Sequence, residues 1–563
     1  MSAPAEVQMV NVQVDGVWMQ FPKGTRLIEA CSQAQKFIPR YCYHPKLSSP
    51  GNCRMCLVEM GMPKMSPDRQ PVIGADGKPE IAWIPRPQIS CAQDVAEGMG
   101  VRTNSPMVQE CRQGVMEFLL INHPLDCPIC DQAGECRLQE FSVEYGNANS
   151  RFLEHKVKKP KAVELGPRVT LDAERCVLCS RCIRFMKEVA NDDVLGFTDR
   201  GSFSTIACHP DRLLDSNYSL NTVDICPVGA LTNTDFRFKM RVWFLKETKT
   251  IDVNDGLGCN ITIGAREDTI YRITPRENND VNSVWLPDSH RLNFKYLNRA
   301  DRLTVPQVRG YIGESGPSWP QAVALAAEQL KRHPSEGVAM IVSARLTNEE
   351  LFLARRLAEA LGVRHQDVIP RRGEPDGILI PEDRNPNTTG ARLLGVCGTE
   401  AGANLAEIVK GVRSGEIKAL ICVGEDATKA GLTEEDLSSL ESLIVSDILP
   451  NKTTARATVL LPASGWAEKR GSMINFKGRL QRLNRAINPP GDAHDDWEIL
   501  RDLIQAVSGS NGLDAIEDVF KAMAAQIPEF ANLSLSKIGD LGVQLLTPET
   551  SAAGTAVAGE PPK

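Results

Sequence analysis

The fourteen residues from His123 to Cys136, HPLDCPICDQAGEC, contain four side chains that bind soft metals. These are His123, Cys127, Cys130 and Cys136, which form the second ligand set of this chain. Their spacing is H-x3-C-x2-C-x5-C, and a C-x2-C pair lets two thiolates hold one metal ion or two corners of one cluster without strain. Imidazole and thiolate together suit zinc or iron–sulfur clusters, not calcium or magnesium. Taken alone, this stretch leaves both a structural zinc site and a cluster open.

The first ligand set lies upstream, with the spacing C-x10-C-x2-C-x34-C. It consists of Cys42, Cys53, Cys56 and Cys91. Before it, apolar and polar residues alternate on both sides of Asp15-Gly16, which predicts a hairpin, and a helix pattern begins near Thr25. Hairpin, helix and cysteine-bearing loop is the order of a plant-type ferredoxin, although that family spaces its first two cysteines C-x4-C. We expect a structural role for His44, since four cysteines already complete this set.

The third ligand set lies downstream, with the spacing C-x2-C-x2-C-x43-C. It consists of Cys176, Cys179, Cys182 and Cys226. Pro227 follows the last cysteine, and a tight triplet with a remote Cys-Pro pair is typical of a four-iron cluster of the bacterial ferredoxin type. The positions expected for a second triplet hold Ser216, Ser219 and Thr222. This segment therefore predicts one cluster, not two.

With three ligand sets in this order, the chain resembles the large iron–sulfur subunit of respiratory complex I, the G or 75-kDa subunit family of NADH–quinone oxidoreductase. The resemblance implies one 2Fe-2S cluster on the first set and one 4Fe-4S cluster on each of the other two. It implies electron relay from an FMN-bearing, NADH-binding subunit through other peripheral-arm subunits toward quinone. The chain would then be part of a proton-translocating NADH:quinone oxidoreductase, with no complete active site and no catalytic residue of its own.

The resemblance also implies the fold class, a multidomain α+β and α/β protein. Its expected parts, in chain order, are a 2Fe-2S plant-type ferredoxin-like domain (1–104), a histidine-ligated 4Fe-4S segment (105–145), a bacterial ferredoxin-like 4Fe-4S domain (146–240), a vacated 4Fe-4S domain of the molybdopterin-oxidoreductase type (241–300), a molybdopterin-oxidoreductase-like doubly wound α/β domain (301–545) and a disordered tail (546–563).

The α/β domain is also predicted from the residues. Val338–Val342 and Ala419–Val423 are apolar strands, and each precedes a helix with a capping box, at Thr347 and at Thr433. Such alternation predicts a parallel sheet with helices on both faces. Five residues further on resemble a motif of molybdopterin enzymes, although such residues more often shape a loop: Gly471, Asn475, Gly478, Arg479 and Gln481.

Residues 241–300 depart from the pattern of some family members and of related molybdenum enzymes, which carry C-x2-C-x3-C-x27-C here. Aligned on Cys259, the other three positions are Asp252, Asp255 and Pro287. A proline offers no side-chain ligand, and one cysteine cannot hold a cluster that normally takes four protein ligands. We therefore expect no cluster here and a packed, inert Cys259 thiol.

Composition sets the remaining limits. A chain of 563 residues with 42% hydrophobic residues has room for about three to five domains. A net charge of −7 without a basic run gives no reason to expect nucleic acid. Eleven of the 17 cysteines fall into metal-ligand spacings, which indicates a reducing compartment. The N-terminus shows no targeting pattern, so we expect a bacterial chain on the cytoplasmic side of the inner membrane that reaches the membrane only through other subunits.

Several local expectations follow from pattern. Cys31 and Cys111 lie on apolar helix faces and should be core residues. A helix starting at Ser105 should end at His123-Pro124, and residues 61–88 should form a long loop. Four arginines close to ligand cysteines could raise cluster potentials, although surface salt bridges explain them equally well: Arg54, Arg137, Arg181 and Arg184.

Two functions compete with the relay. One is the iron–sulfur subunit of a molybdenum formate dehydrogenase or of an NAD-linked hydrogenase diaphorase, but neither Cys397 nor Cys422 is well placed to bind molybdenum. The other is a zinc-stapled scaffold, which would lack the brown colour that dithionite bleaches. Neither G-x-G-x-x-G between a strand and a helix nor a P-loop occurs, so we expect no NAD, FMN or molybdopterin on this chain.

Overall fold

The structure, a computed structural model, describes residues 8–313, 316–510 and 512–547. The chain divides into two compact units, one up to Trp243 and one from Phe244. Beyond residue 547 the predicted disordered tail lies outside the described residues. No helix in the described part of the chain is both long and apolar enough to cross a membrane.

The first unit opens with a six-stranded sheet and one helix. Its elements are β1 (Met9–Val14), β2 (Val17–Pro22), α1 (Leu27–Gln33), β3 (Leu57–Pro63), β4 (Ile81–Trp83), β5 (Gln88–Ile89) and β6 (Met99–Arg102). The predicted hairpin is confirmed, since Val14 pairs with Val17 and the two residues between them, Asp15 and Gly16, have φ of 47° and 88°. Positive φ at both positions is what a tight hairpin turn requires. The order is β2-β1-β6-β3-β4, with β5 paired to β3.

The prediction of a long loop over residues 61–88 is wrong. Gly61 pairs with Trp83 in an antiparallel β3–β4 ladder, so the insertion extends the sheet. The short run Ile81–Trp83 holds residues that favour strands, and Arg102 of β6 lies over the Trp83 ring at 3.8 Å. The many prolines and glycines of the insertion had hidden this strand.

Two helices frame the second ligand set. They are α2 (Pro106–Leu120) and α3 (Arg137–Tyr145). Ser105 caps α2 as predicted, its hydroxyl accepting from the backbone N–H of Val108. The helix ends at Leu120 rather than at His123, because the chain leaves the helix before the residue that precedes Pro124. Cys31 is fully buried as predicted, whereas Cys111 is only half-buried and not a core residue.

The rest of the first unit consists of short elements around the third ligand set. They are β7 (Val163–Glu164), β8 (Val169–Leu171), α4 (Arg181–Glu188), β9 (Leu195–Thr198), β10 (Thr205–Cys208), α5 (Asn221–Asp224) and β11 (Leu231–Asn233). β8 lies between β7 and β11 in one small sheet, and β9 pairs with β10 in another. Such small elements place ligand loops close together without a large core of their own.

The second unit begins with an antiparallel sheet and a short helix. These are β12 (Lys246–Ile251), β13 (Asn260–Arg266), β14 (Thr269–Pro275) and α6 (Asp288–Leu292). Pro287 directly precedes α6. The turn from Asp252 to Cys259, which carries two of the three positions aligned with absent cysteines, links the paired strands β12 and β13.

A doubly wound α/β layer follows. Its elements are β15 (Gln307–Val308), α7 (Trp319–Lys331), β16 (Val338–Val342), α8 (Asn348–Leu361), β17 (His365–Val368), α9 (Thr388–Leu393), α10 (Leu405–Ser414), β18 (Ala419–Val423), α11 (Glu434–Ser439), β19 (Ser442–Asp447), β20 (Val459–Pro462), β21 (Gly471–Ile474), β22 (Arg479–Leu483), α12 (Asp496–Ser508), α13 (Ile516–Gln526) and β23 (Val543–Gln544). The main sheet has the order β15-β20-β19-β18-β16-β17 and is parallel except at β15.

The sequence predicted this layer closely. Both predicted capping boxes are present, at Thr347 with Glu350 and at Thr433 with Asp436. The four inner strands of the main sheet are buried along their length because helices cover both faces, which explains their apolar composition. The hairpin of β21 and β22 forms a separate small sheet with β23.

Candidate metal centres

The first ligand set lies where a loop meets the edge of the ferredoxin-like sheet. Antiparallel pairing of Leu57 with Ile89 places Cys56 beside the turn that carries Cys91, and the Ser90 hydroxyl donates to the Cys56 carbonyl oxygen at 2.8 Å. The thiols form a chain of contacts, Cys53 with Cys42, Cys42 with Cys91 and Cys91 with Cys56. The thiol pKa of Cys56 is lowered by its hydrogen bond with Cys91. All four thiols therefore converge on one buried point.

The second ligand set is spread over a turn between α2 and α3. Cys127 begins a short helical turn, Cys130 follows it, and Cys136 directly precedes α3. Burial raises the pKa of the Cys136 thiol to about 11, and the neighbouring Cys130 and Cys127 add to this shift. His123 lies just after α2 and lines a cavity together with Cys176 of the third set. The three cysteines of this set thus face one another.

His123 is neutral at physiological pH. Burial and the charges of Arg175 and Lys156 lower its pKa to about 4. A neutral imidazole keeps a free lone pair for a metal, whereas an imidazolium does not. The residue is therefore in the protonation state that a ligand needs.

The third ligand set lines a single apolar pocket. All four of its thiols border this pocket, together with Val177, Ile206, Val228 and Leu231. Burial raises the pKa of Cys182 well above its usual value, and the thiols of Cys179, Cys176 and Cys226 raise it further. Leu178 and Ser180 have φ of 52° and 60°, which turns the chain sharply enough for Cys176, Cys179 and Cys182 to point inward. The set is brought together as its spacing predicts.

The spread of these donors distinguishes a cluster from a single ion. Zn–S bonds of about 2.3 Å in a tetrahedral site put thiolates within about 4 Å of one another. In the described part of the chain, no three ligand atoms of the cysteine sets lie within 4.8 Å of one another. Thiolates that bind different irons of one cluster are farther apart, so the donor sets fit iron–sulfur clusters better than zinc.

Two of the four predicted arginines lie between the first and third sets. Arg181 donates to the carbonyl oxygens of Tyr43 at 2.5 Å and of Ile225 at 3.1 Å. Arg184 donates to the carbonyl oxygen of Cys42 at 2.5 Å. Both guanidinium groups interact with thiols of both sets. In contrast, Arg137 is exposed and paired with Glu140 at 2.8 Å.

The second and third sets meet at Gly229. A Cβ at this position would lie 2.4 Å from the Sγ atom of Cys130 and 3.1 Å from Gln132. The backbone N–H of Arg137 donates to the carbonyl oxygen of Pro227 at 3.2 Å. The Cys-Pro segment that ends the third set therefore packs directly on the second set, and only glycine leaves enough room for the Cys130 sulfur.

The region expected to lack a cluster holds a residue that the sequence did not suggest. Alignment on cysteine spacing pointed to Pro287, but Pro287 is the residue before α6 and offers no side-chain ligand. His290, three residues further on, lies against Asp252 and Asp255 instead. Cys259 is fully buried, and burial raises its pKa well above the usual value, as expected for an inert thiol. A histidine near a missing cysteine was the signal that could have identified this group.

The motif that resembles molybdopterin enzymes shapes a hairpin that packs on this region. The side-chain amide of Asn475 donates to the carbonyl oxygen of Leu257 at 3.0 Å, and that of Gln481 donates to Gly258 at 2.8 Å. Gly478 has φ of 77° at the turn. These residues therefore fasten the Asp252–Cys259 turn to the α/β layer.

Comparison with protein families gives five matches in chain order. They are a 2Fe-2S iron-sulfur cluster binding domain (residues 7–106), the NADH-ubiquinone oxidoreductase-G iron-sulfur binding region (112–151), the NADH-quinone oxidoreductase subunit 3 ferredoxin-like domain (166–232), the NADH-ubiquinone oxidoreductase NDSU1/NuoG-like 4Fe-4S domain (245–295) and the molybdopterin oxidoreductase family (368–506). The chain thus carries 2Fe-2S and 4Fe-4S binding domains followed by a molybdopterin oxidoreductase domain.

Similar whole proteins were also found. The NADH-quinone oxidoreductase G subunit of Rickettsia felis is 30% identical over 643 aligned positions, which cover 93% of this chain and 92% of that protein. The mitochondrial NADH-ubiquinone oxidoreductase 78 kDa subunit of Neurospora crassa is 42% identical over 64% of this chain and 45% of its own length. A chain of a solved NAD+-reducing NiFe-hydrogenase is 27% identical and covers 41% of this chain and 91% of its own, with a TM-score of 0.34. A score this low says nothing about the fold.

Proposed function

This chain belongs to the G-subunit family of NADH-quinone oxidoreductase, the 75-kDa subunits of complex I, and from that premise we propose that it relays electrons through three iron–sulfur clusters. The observation that carries the proposal is that the cysteines of all three ligand sets converge within one compact unit. The chain is the iron–sulfur electron-transfer subunit of its complex, and its partners are other complex I subunits.

We assign one 2Fe-2S cluster to Cys42, Cys53, Cys56 and Cys91. The mutual contacts of these four thiols support the assignment, because a 2Fe-2S cluster of this type takes four cysteine ligands. One 4Fe-4S cluster is assigned to Cys176, Cys179, Cys182 and Cys226, whose thiols border one apolar pocket. The other is assigned to His123, Cys127, Cys130 and Cys136. The neutral state of His123 and its place just after α2 support this assignment.

When bound, the clusters supply reversible one-electron transfer. The chain itself holds them, excludes water from them and sets the local charge. All ligand cysteines except the exposed Cys127 are buried or half-buried, which limits the access of water. The arginines between the first and third sets favour the more negative, reduced state of a neighbouring cluster. The packing of Gly229 against Cys130 holds the second and third sets in direct contact. A relay needs such closely spaced, fixed sites.

We further propose the finer placement that the family suggests. The subunit receives electrons from the FMN- and NADH-binding subunit of the peripheral arm, on the cytoplasmic side of a bacterial inner membrane. It reaches the membrane only through other subunits. The expected boundaries at residues 104, 145, 240, 300 and 545 remain predictions.

Metal and sulfide analysis of the anaerobically purified chain tests the proposal. We expect about ten cluster irons and about ten acid-labile sulfides per chain, from one two-iron and two four-iron clusters. Dithionite should produce one 2Fe-2S and two 4Fe-4S paramagnetic resonance signals. A colourless protein that contains zinc but no sulfide would refute the relay, and about four additional irons with matching sulfide would show that residues 241–300 hold a cluster.

A further inference from the structure

Three side chains of the second unit form a compact buried group. Asp252 follows β12, Asp255 lies in the turn before β13, and His290 is in α6. The His290 Nδ1 atom is 2.8 Å from Asp252 Oδ2 and 3.7 Å from Asp255 Oδ2. The two carboxylate side chains are 2% and 0% exposed and the imidazole is 8% exposed. Among the described residues, these are the only three His, Cys, Asp or Glu side chains whose ligand atoms all lie within 4.8 Å of one another.

One atom of this group, Asp255 Oδ2, is fully buried and has no hydrogen-bond partner. Its nearest counter-charge is His290 Nδ1 at 3.7 Å, and that nitrogen is paired with Asp252 Oδ2 at 2.8 Å. A buried carboxylate oxygen without a partner is rare because it costs free energy, so one that faces a second carboxylate and an imidazole indicates a missing ligand.

The remaining carboxylate oxygens are held by neighbours. Asn254 donates its side-chain amide to Asp252 Oδ1, and the backbone N–H of Leu257 donates to Asp255 Oδ1 at 2.9 Å. Each carboxylate therefore uses one oxygen to fix its orientation and leaves the other directed at the common point. Metal-binding carboxylates are typically oriented by such outer hydrogen bonds.

The electrostatics of the group also favour a cation. Two carboxylates that are 2% and 0% exposed face a single imidazole, so negative charge at this point is poorly compensated. Arg384 also acts on Asp255 and His290, without forming a hydrogen bond to either. A divalent ion would supply more positive charge at this point than one proton on the imidazole does.

We propose that Asp252, Asp255 and His290 bind a single zinc-type divalent ion. Metal–ligand bonds of about 2.0–2.2 Å place neighbouring ligand atoms about 3–3.6 Å apart, which the separations of 2.8 and 3.7 Å bracket. One imidazole with two carboxylates suits zinc, whereas magnesium and calcium prefer oxygen alone. Cys259 is not part of the group that lies within 4.8 Å, so the site has no sulfur ligand. The site thus differs from the cluster that the 4Fe-4S domain match would suggest.

The ion would have a structural role. It would join the Asp252–Cys259 turn to α6, and the same turn accepts hydrogen bonds from Asn475 and Gln481. Asn254, which orients Asp252, accepts a hydrogen bond from the exposed Asn293. Asn293 and Val253 border a cavity of about 500 Å³. The ion therefore fixes a region that the family uses for a cluster, with oxygen and nitrogen ligands in place of thiolates.

Zinc binding by the full-length, cluster-loaded chain tests this proposal. After exposure to Zn²⁺ and extensive dialysis, elemental analysis should find about one zinc ion per chain, with an X-ray absorption spectrum of nitrogen and oxygen ligands near 2.0–2.1 Å. H290Q and D255N should each lose this zinc by tenfold or more in affinity, while Cys259→Ala should retain it.

The X-ray absorption spectrum also distinguishes zinc at this site from zinc bound by the cysteines of the three ligand sets. A sulfur shell near 2.3 Å, zinc that both variants retain, or wild-type protein that binds no zinc would each overturn the proposal. Zinc loss from Cys259→Ala would overturn it too. If a variant misfolds, the wild-type spectrum still decides. The resonance signals of the three clusters, recorded on the same samples, report separately on the relay function.

Discussion

The Nη2 atom of Arg184 lies 2.5 Å from the carbonyl oxygen of Cys42, although the two residues are 142 positions apart in the chain. This hydrogen bond joins helix α4, which begins at the third ligand set, to the loop of the first set. It places a positive charge close to thiols of both sets, including Cys179. The contact is therefore suited to influence two clusters together.

Replacing Arg184 by methionine should lower the reduction potentials of the clusters at the first and third sets. A lost positive charge disfavours the added negative charge of the reduced cluster, and a shift on the order of tens of millivolts is expected for a partly screened charge. Redox titration followed by paramagnetic resonance measures it. The matched control is Arg137→Met, since Arg137 is exposed and paired with Glu140. Equal shifts in the two variants would contradict a specific role for Arg184.

Replacing His123 by cysteine should keep a cluster but lower its potential, on the order of 100 mV. A thiolate makes the cluster more negative than a neutral imidazole does, and the low pKa of His123, about 4, means that the imidazole is neutral throughout the usual working range. Redox titration of the variant gives the shift. An unchanged potential would mean that His123 is not a ligand.

Replacing Gly229 by alanine should damage the cluster of the second set. The added Cβ would lie 2.4 Å from Cys130 Sγ, so the sulfur or the loop has to move. We expect the resonance signal of that cluster to broaden or disappear while the 2Fe-2S signal stays. Gly114→Ala, within α2, is the control, because no atom lies within 4 Å of the place its methyl group would take and alanine favours helix. Loss of all signals in G229A alone would indicate general misfolding rather than a local clash.

The buried Glu349 should make stability depend on pH. Burial raises its pKa from 4.5 to about 7, although the hydroxyl and backbone N–H of Ser472 both donate to it. Because the folded-state pKa is the higher one, the native state retains a proton that the unfolded state loses. The stabilisation that Glu349 contributes to the folded state is full below about pH 4.5. It declines as the pH rises to about 7, and the total loss in the free energy of unfolding is on the order of 3 kcal/mol.

Glu349→Gln removes this titration. Its unfolding midpoint relative to wild type should therefore rise between pH 5 and about 7 and then level off. Thermal unfolding at a series of pH values measures the difference. The control is Glu359→Gln on the same helix, an exposed residue paired with Arg355. Parallel pH curves for wild type and Glu349→Gln would contradict the prediction.

The sequence predicted local features correctly where a short residue pattern is compatible with only one backbone geometry. The Asp15-Gly16 turn, the Ser105 cap and the two capping boxes depend on backbone geometry within a few residues. The buried strand Val338–Val342 had the predicted bounds, because a parallel sheet covered on both faces requires a continuous apolar run. The spacing of the cysteines similarly identified three ligand sets.

What lies around those sets was decided by the tertiary structure. Nothing in sequence spacing relates Arg184 to Cys42, or Gly229 to Cys130, since these contacts depend on how separate loops pack. The strand Ile81–Trp83 gains its hydrogen bonds only from β3, so its composition alone gave the wrong prediction.

The group of Asp252, Asp255 and His290 shows most clearly what the sequence determines and what only the tertiary structure decides. The sequence determined that three thiolates are missing from this region, because side-chain chemistry can be read from the letters alone. It could not show that α6 turns His290, rather than Pro287, toward the two carboxylates. A ligand site requires donor atoms within a few ångströms of one point, and only the packing of a helix against a strand end brings residues 35 and 38 positions apart that close.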